Sequence, residues 1–228
     1  ALASLLAEEI ELRNWGTSRF VTRHQLLVHP DIPYTSHNSA MCFTAEIVPE
    51  HLQSIIDYAA GFLDRESATG SDPGLCVVSV DRLERCADLI DFGRRAKEVV
   101  LTKEDAYDLA CRSGIHLSEH GGTGQGVIGA LAGAGLRLSG NDGRLKGELS
   151  IAADGGRVSV AQLRSHDDVD EVRSVDGGEV TGDQLVRLGD KVKTVMLEGK
   201  AVLLIEPLGG AEGGVAWQTC SKQRLKRY

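Results

Sequence analysis

Residues 19–48 read RFVTRHQLLVHPDIPYTSHNSAMCFTAEIV, and how this stretch divides decides the fold. Pro30 and Pro33 fix φ and push the residues before them into extended geometry, so no helix runs through the middle. The flanks, RFVTRHQLLVH (19–29) and AMCFTAEIV (40–48), are rich in Val, Leu and Phe and predict two neighbouring antiparallel strands. Between them Thr35, Ser36, His37, Asn38 and Ser39 follow one another as short polar side chains. They suit a plain connection, with Asn38 turning the chain and hydroxyls satisfying backbone groups. The sharper alternative is a ligand-holding loop mounted on a rigid sheet. Composition alone favours the connection.

Working outward, residues 1–14 carry a helical stripe of Leu2, Leu5, Leu6, Ile10 and Leu12, with Gly16 as its expected stop. Residues 49–67 predict an amphipathic helix opened by Pro49, and LCVVSV (75–80) a buried strand. The order α-β-β-α-β becomes the ferredoxin-like split βαβ arrangement if one strand is added in front. That first strand is expected upstream of Ala1 or from elsewhere. A helix over 81–96, a short strand EVVL (98–101), a helix over 102–114 capped by Thr102 and stopped by Gly114, and a strand IHLSE (115–119) follow.

From about Leu145 the pattern turns to strands: RLKGELSI, RVSVAQLR, EVRSV, KVKTVML and AVLLIEP, separated by glycine turns. The expected class is therefore α+β, with an α/β domain over 1–142 and a small β-rich domain over 143–228.

A net charge of −8 argues against a surface coated with phosphate-neutralising cations. Aromatic residues, at 4%, leave few platforms for stacking bases. Lys222, Arg224, Lys226 and Arg227 crowd the C-terminal end, where RNA contact is an option and a solvated terminus the simpler reading. The five cysteines (Cys42, Cys76, Cys86, Cys111, Cys220) contain no C-x-x-C pair, so neither a zinc site nor a disulfide framework is expected. The apolar runs are strand-sized, and the chain reads as cytoplasmic with no membrane partner.

Gly124, Gly126 and Gly129 satisfy G-x-G-x-x-G. The preceding strand is short and polar, no clear ribose-binding acid follows, and a P-loop Lys-Ser or Lys-Thr is absent. The glycines then serve either an anion-binding turn at a helix start or a Gly/Ala face for close packing. His24, His29 and His37 lack metal-ligand spacing, and no nucleophile-elbow motif is present.

LLVHPDIPYTSHNSA (26–40) resembles a segment of the archaeal tRNA-isoleucine agmatinylcytidine synthetases, in which a strand, an N-P-x-x-P-like turn and a Thr-Arg-Gly-Asn-Gly loop occur in that order. Thr35 and Asn38 match that loop, while Ser36, His37 and Ser39 replace its Arg and glycines. Gly126 to Leu131 match the family's GVIGAL. The resemblance implies ATP, with Mg²⁺, activating a cytidine that then receives agmatine. Arg23, the Thr35–Ser39 loop, Gly124 and Gly126 become the expected ligand-binding residues. The family's acidic metal-holding motif and its zinc ribbon are not found in the 228 residues, so metal-holding carboxylates are expected from upstream. Three functions follow: an ATP-dependent ligase or kinase-like enzyme acting on a nucleobase or small amine, a non-catalytic ligand-binding or regulatory module, and a nicotinamide-dependent enzyme.

Overall fold

A computed structural model describes residues 2–32, 37–209 and 214–228. The chain forms two compact units, Ala1–Ser139 and Gly140–Tyr228. The class is α+β.

The first unit opens with helix α1 (Leu2–Leu12). Its stop is not Gly16 but Asn14, whose φ of 55° supplies the left-handed turn that asparagine tolerates. Gly16 instead begins strand β1 (Gly16–Ser18), which pairs antiparallel with β4 (Ala45–Ile47). A side chain at Gly16 would collide with the Glu46 carbonyl. Inside this pair lies a second, β2 (Thr22–Gln25) against β3 (Ser39–Cys42), antiparallel with Thr22 opposite Cys42 and Gln25 opposite Ser39. The two stretches flanking the prolines are thus neighbouring strands. Helix α2 (Leu52–Glu66) follows a 3-10 turn at Pro49–His51.

Strand β5 (Gly74–Val77) pairs with β6 (His116–Glu119), so the described pairings of this unit are three separate antiparallel ladders rather than one split sheet. Between them come α3 (Cys86–Arg95) and α4 (Lys103–Arg112). The Thr102 hydroxyl accepts from the Asp105 N–H while the Asp105 carboxylate accepts from the Thr102 N–H, a complete capping box. EVVL (98–101) forms no strand: Val99 and Val100 are exposed and only Leu101 is buried.

Helix α5 (Gly126–Ser139) is the hub of the unit, and most of its residues are buried. Ideal side chains at Gly133 and Gly135 would overlap the Ala40 side chain and the Leu89 carbonyl, and one at Gly93 would crowd the Ala132 carbonyl. The small residues therefore bring β3 and α3 to near backbone contact with α5. Leu89, Phe92, Leu109, Val127, Ile128 and Leu131 form the core around it.

The second unit contains β7 (Arg144–Leu145), β8 (Arg157–Ser159), α6 (Val160–Arg164), β9 (Glu171–Ser174), β10 (Leu185–Arg187), β11 (Thr194–Leu197), β12 (Lys200–Pro207) and β13 (Val215–Thr219). Its strands run β7-β11-β12-β13-β10-β8, with β9 parallel to β12. Two expectations are corrected here. RLKGELSI is a strand only at Arg144–Leu145, and VAQLR is helical because Ser159 and Gln162 form a capping box. Val158, Leu163, Val186, Leu203, Ile205 and Trp217 pack at its centre, and the Trp217 indole N–H donates to Gln184.

Candidate functional site

Within the first unit α1, β3, β4, α2, β5 and α5 wall a cleft of about 1080 Å³. Its lining is mainly apolar, and two buried charged side chains stand out: Asp72 and Arg137.

Asp72 precedes Pro73 in the loop before β5 and is 6% exposed. Its Oδ2 accepts from the Thr123 hydroxyl at 2.6 Å and from the Gln125 N–H at 3.2 Å. A carboxylate thus sits at the start of α5, where free N–H groups and the helix dipole favour negative charge. Glycine is what allows this: Gly122 (φ +61°) lies under the Asp72 side chain, and a Cβ at Gly126 would strike the Asp72 carbonyl. Asp72 Oδ1 is buried and has no hydrogen-bond partner. One oxygen is fixed by the protein while the other is a bare acceptor in a residue lining the cleft.

Arg137 projects from the last turn of α5 and is 7% exposed. Its guanidinium donates long hydrogen bonds to the hydroxyls of Thr22 (3.3 Å) and Thr44 (3.4 Å) and stacks over Phe20, 4.5 Å from the ring centre. No carboxylate among the described residues reaches it. Burial pulls its pKa down, and the nearby Cys42 would counter that only as a thiolate. The Cys42 thiol is itself pushed up to about 11 by burial, and burial drives Cys76 upward more strongly still. Both are therefore neutral and poorly nucleophilic at neutral pH.

Of the residues expected from sequence, Thr35 and Ser36 lie outside the described residues. His37 is buried, and its Cβ would stand 3.1 Å from a side chain at Gly129. Burial holds its pKa below the ordinary value, with Asp72 pulling the other way. The Asn38 carbonyl accepts from the Leu26 N–H and the Gln25 amide, which ties the end of the loop to the strand. Ser39 lines the cleft and accepts from Arg23 at 3.3 Å, and Gly126 lines the same cleft. Gly124 (φ +77°) sits instead against the Glu119 carboxylate, which Lys103 (2.7 Å) and Tyr107 (2.9 Å) hold. The His37–Ser39 end of the loop and the start of α5 are thus brought together, while Gly124 faces a separate ion pair.

Sequence reasoning missed Asp72 and Arg137. Arg137 carried a usable signal, being the one charged residue in 121–139. It also missed a hydrogen-bonded chain that alternation along β6 lines up. His116 Nε2 lies 3.1 Å from Ser118 Oγ, which lies 2.7 Å from His120 Nε2, and His120 Nδ1 lies 2.8 Å from Asp64 Oδ1 on α2. Asp64 is 61% exposed and none of the four lines the cleft, so the chain reads as a polar clamp joining β6 to α2.

Among the described residues no group of three His, Cys, Asp or Glu side chains is placed to hold a metal ion, and no helix is long and apolar enough to cross a membrane. Arg224 of the basic C-terminal segment pairs with Glu206 at 3.2 Å and Asp176 at 3.7 Å.

No family model matches the sequence, and no curated protein matches it. Solved structures of TiaS, an agmatidine synthetase for an isoleucine tRNA, are similar to part of it. The apo form is 26% identical over 59% of this chain and 30% of its own, with a TM-score of 0.47. The complex of TiaS with that tRNA and ATP is 27% identical over 59% of this chain and 31% of its own, at 0.49. The complex with the tRNA, AMPCPP and agmatine is 24% identical over 58% and 31%, at 0.45. The chain spans about a third of the length of these structures.

Proposed function

We propose that residues 2–139 form a small-ligand-binding module whose cleft takes a cationic amine or guanidine at Asp72, within a protein related to the tRNA agmatinylcytidine synthetases. The observation that carries this reading is the Asp72 carboxylate, with Oδ2 fixed by Thr123 and Gln125 and Oδ1 buried without a partner. A desolvated acceptor of that kind is costly to leave empty and is offset by a charged donor. The motif resemblance at 26–40 and 126–131 points to the same chemistry, since agmatine is a cation at both ends. Ser39, at the end of the loop, and Gly126 then belong to the wall of the binding site.

ATP, Mg²⁺ and RNA are the further ligands this reading brings in. The Gln125 N–H at the glycine turn already donates to Asp72, so this turn does not fit a nucleotide phosphate. With no three-residue ligand cluster among the described residues, a Mg²⁺ ion would enter with nucleotide phosphates and its waters. The unit's own contribution is binding and orientation of the acceptor amine, and phosphoryl chemistry rests on carboxylates elsewhere. A non-catalytic ligand-binding or regulatory module is the second reading, and the Asp72 acceptor in the cleft would serve it as well.

Calorimetric titration of the full chain with agmatine tests the proposal. Asp72→Asn keeps the hydrogen bonds to Thr123 and Gln125 but removes the charge. It is expected to weaken agmatine about ten- to a hundredfold, the value of a hydrogen bond to a charged group. No agmatine binding by the wild type, or equal binding by the variant, refutes it.

A further inference from the structure

We propose that Arg137 is an oxyanion subsite of the same cleft, taking a phosphate or carboxylate group, so that the cleft receives a negative group at one end of α5 and a positive one at the other. The proposal rests on the ligand-binding reading given above, and it assigns a second chemical class to that site.

Arg137 has fewer partners than its chemistry allows. A guanidinium has five donors in a planar fork suited to paired oxygens. Here it has two long hydrogen bonds, to neutral hydroxyls, and one aromatic face. Complementing the α5 dipole or stacking on Phe20 requires no burial, because an arginine can do either while its head group stays in water. Arg137 is nevertheless 93% removed from solvent, as its 7% exposure states, and no carboxylate is within reach among the described residues. Buried charges are ordinarily paired, and leaving one without a counter-ion is destabilising. Thr44, which shares the guanidinium, lines the cleft together with Arg137.

Position adds to charge. Gly126, against Asp72, and Arg137 are separated by about 16 Å along the helix axis at 1.5 Å per residue. The wall between them is apolar, with Gly129, Ala130 and Ala134 of α5 on the cleft. A small amine held at Asp72 leaves the Arg137 end open, which suits either one long bipolar ligand or an amine and an oxyanion bound side by side.

The experiment uses the full chain with inorganic pyrophosphate, succinate and agmatine as probes, by calorimetry and thermal melting. The wild type is expected to bind pyrophosphate or succinate, and whichever binds more tightly identifies a phosphoryl or a carboxylate ligand. Arg137→Met should weaken that binding about ten- to a hundredfold while melting, without ligand, at or above the wild-type temperature. Thr44→Val keeps the guanidinium but removes a hydroxyl that orients it, and should weaken the oxyanion several-fold. It carries the test if the Met variant does not fold. Failure of both oxyanions to bind the wild type, or undiminished binding by the variants, overturns the proposal. Agmatine separates the two readings: Arg137→Met should still bind it, and loss of agmatine binding alone in the wild type refutes the Asp72 assignment and leaves Arg137 standing.

Discussion

The same substitution, glycine to alanine, should have opposite effects on two helices of the first unit. At Gly61 of α2 the new Cβ meets only Arg65 Nη1 at 3.1 Å, the end of a flexible side chain that can move away. Helix propensity then dominates, and Gly61→Ala should gain up to about 1 kcal/mol. At Gly135 of α5 the new Cβ would overlap the carbonyl of Leu89, a backbone atom of α3 beside a fully buried side chain. No rotamer relieves that contact, so α3 must shift off α5 and loosen the core both share. Overpacking of this kind costs about 1–3 kcal/mol, and a rigid backbone obstacle puts it near the upper end. After the helix-propensity gain, the net loss at Gly135 is about 1–2 kcal/mol. At about 2–4 °C per kcal/mol for a chain of this length, the first transition should fall by about 2–8 °C, against a rise of up to about 4 °C for Gly61→Ala. Circular-dichroism melts of both variants beside the wild type measure this. A rise in melting temperature for Gly135→Ala would show that α5 is not packed on α3 at backbone distance, and the account of the glycine helix would fail.

Thr102→Ala removes the α4 cap and should cost about 0.5–2 kcal/mol in the same melts, whereas an unchanged melting temperature would show that the box contributes nothing. Stability should also fall on mild acidification. Burial, reinforced by His120, holds His116 below its ordinary pKa, and burial does the same to His37, with Asp57 and Asp72 respectively opposing. The unfolded chain therefore protonates first, near pH about 6.5, so this contribution is full above that pH and is lost as pH falls towards the folded values. Melting temperatures from neutral to about pH 5 should decline, less steeply in His116→Gln; a flat wild-type profile would contradict the assignment.

Much of the fold could be read from local signals, because those signals were also the ones that tertiary packing reinforced. The prolines at 30 and 33 separate β2 from β3, and Thr102 with Asp105 marks the start of α4. The misreadings share a different cause. VAQLR has an apolar pattern that suits a strand, and only the Ser159–Gln162 pair, a capping signal three residues apart, makes it a helix. Gly16 looked like a helix stop because glycine usually is one, yet Asn14 takes the left-handed turn and Gly16 admits the Glu46 carbonyl. Whether β5 pairs with β6 or with β2 depends on contacts between distant residues, which no local pattern records.

The glycine turn shows why a site is harder to read than a fold. Free N–H groups at the start of a buried helix attract a negative charge, and that much follows from the sequence. The sequence does not say whose charge it is. Asp72, 53 residues before Gln125, supplies it from within the chain, and the space left at Gly122 and Gly126 lets it do so. An anion site for a ligand thereby becomes an acceptor site: Oδ2 is committed to the helix, and Oδ1 faces the interior without a partner. At the far end of the same helix the one charged residue of the segment is a cation with no carboxylate in reach among the described residues. Had the two ends neutralised each other, the cleft would be an apolar gap between packed elements. Gly126, beside Asp72, and the Arg137 backbone are about 16 Å apart by helix rise. Among the described residues no ion pair joins the two charges, so on the proposed reading each calls for an external partner. On the ligand-binding reading proposed above, that demand at both ends is what distinguishes this cleft from a packing defect.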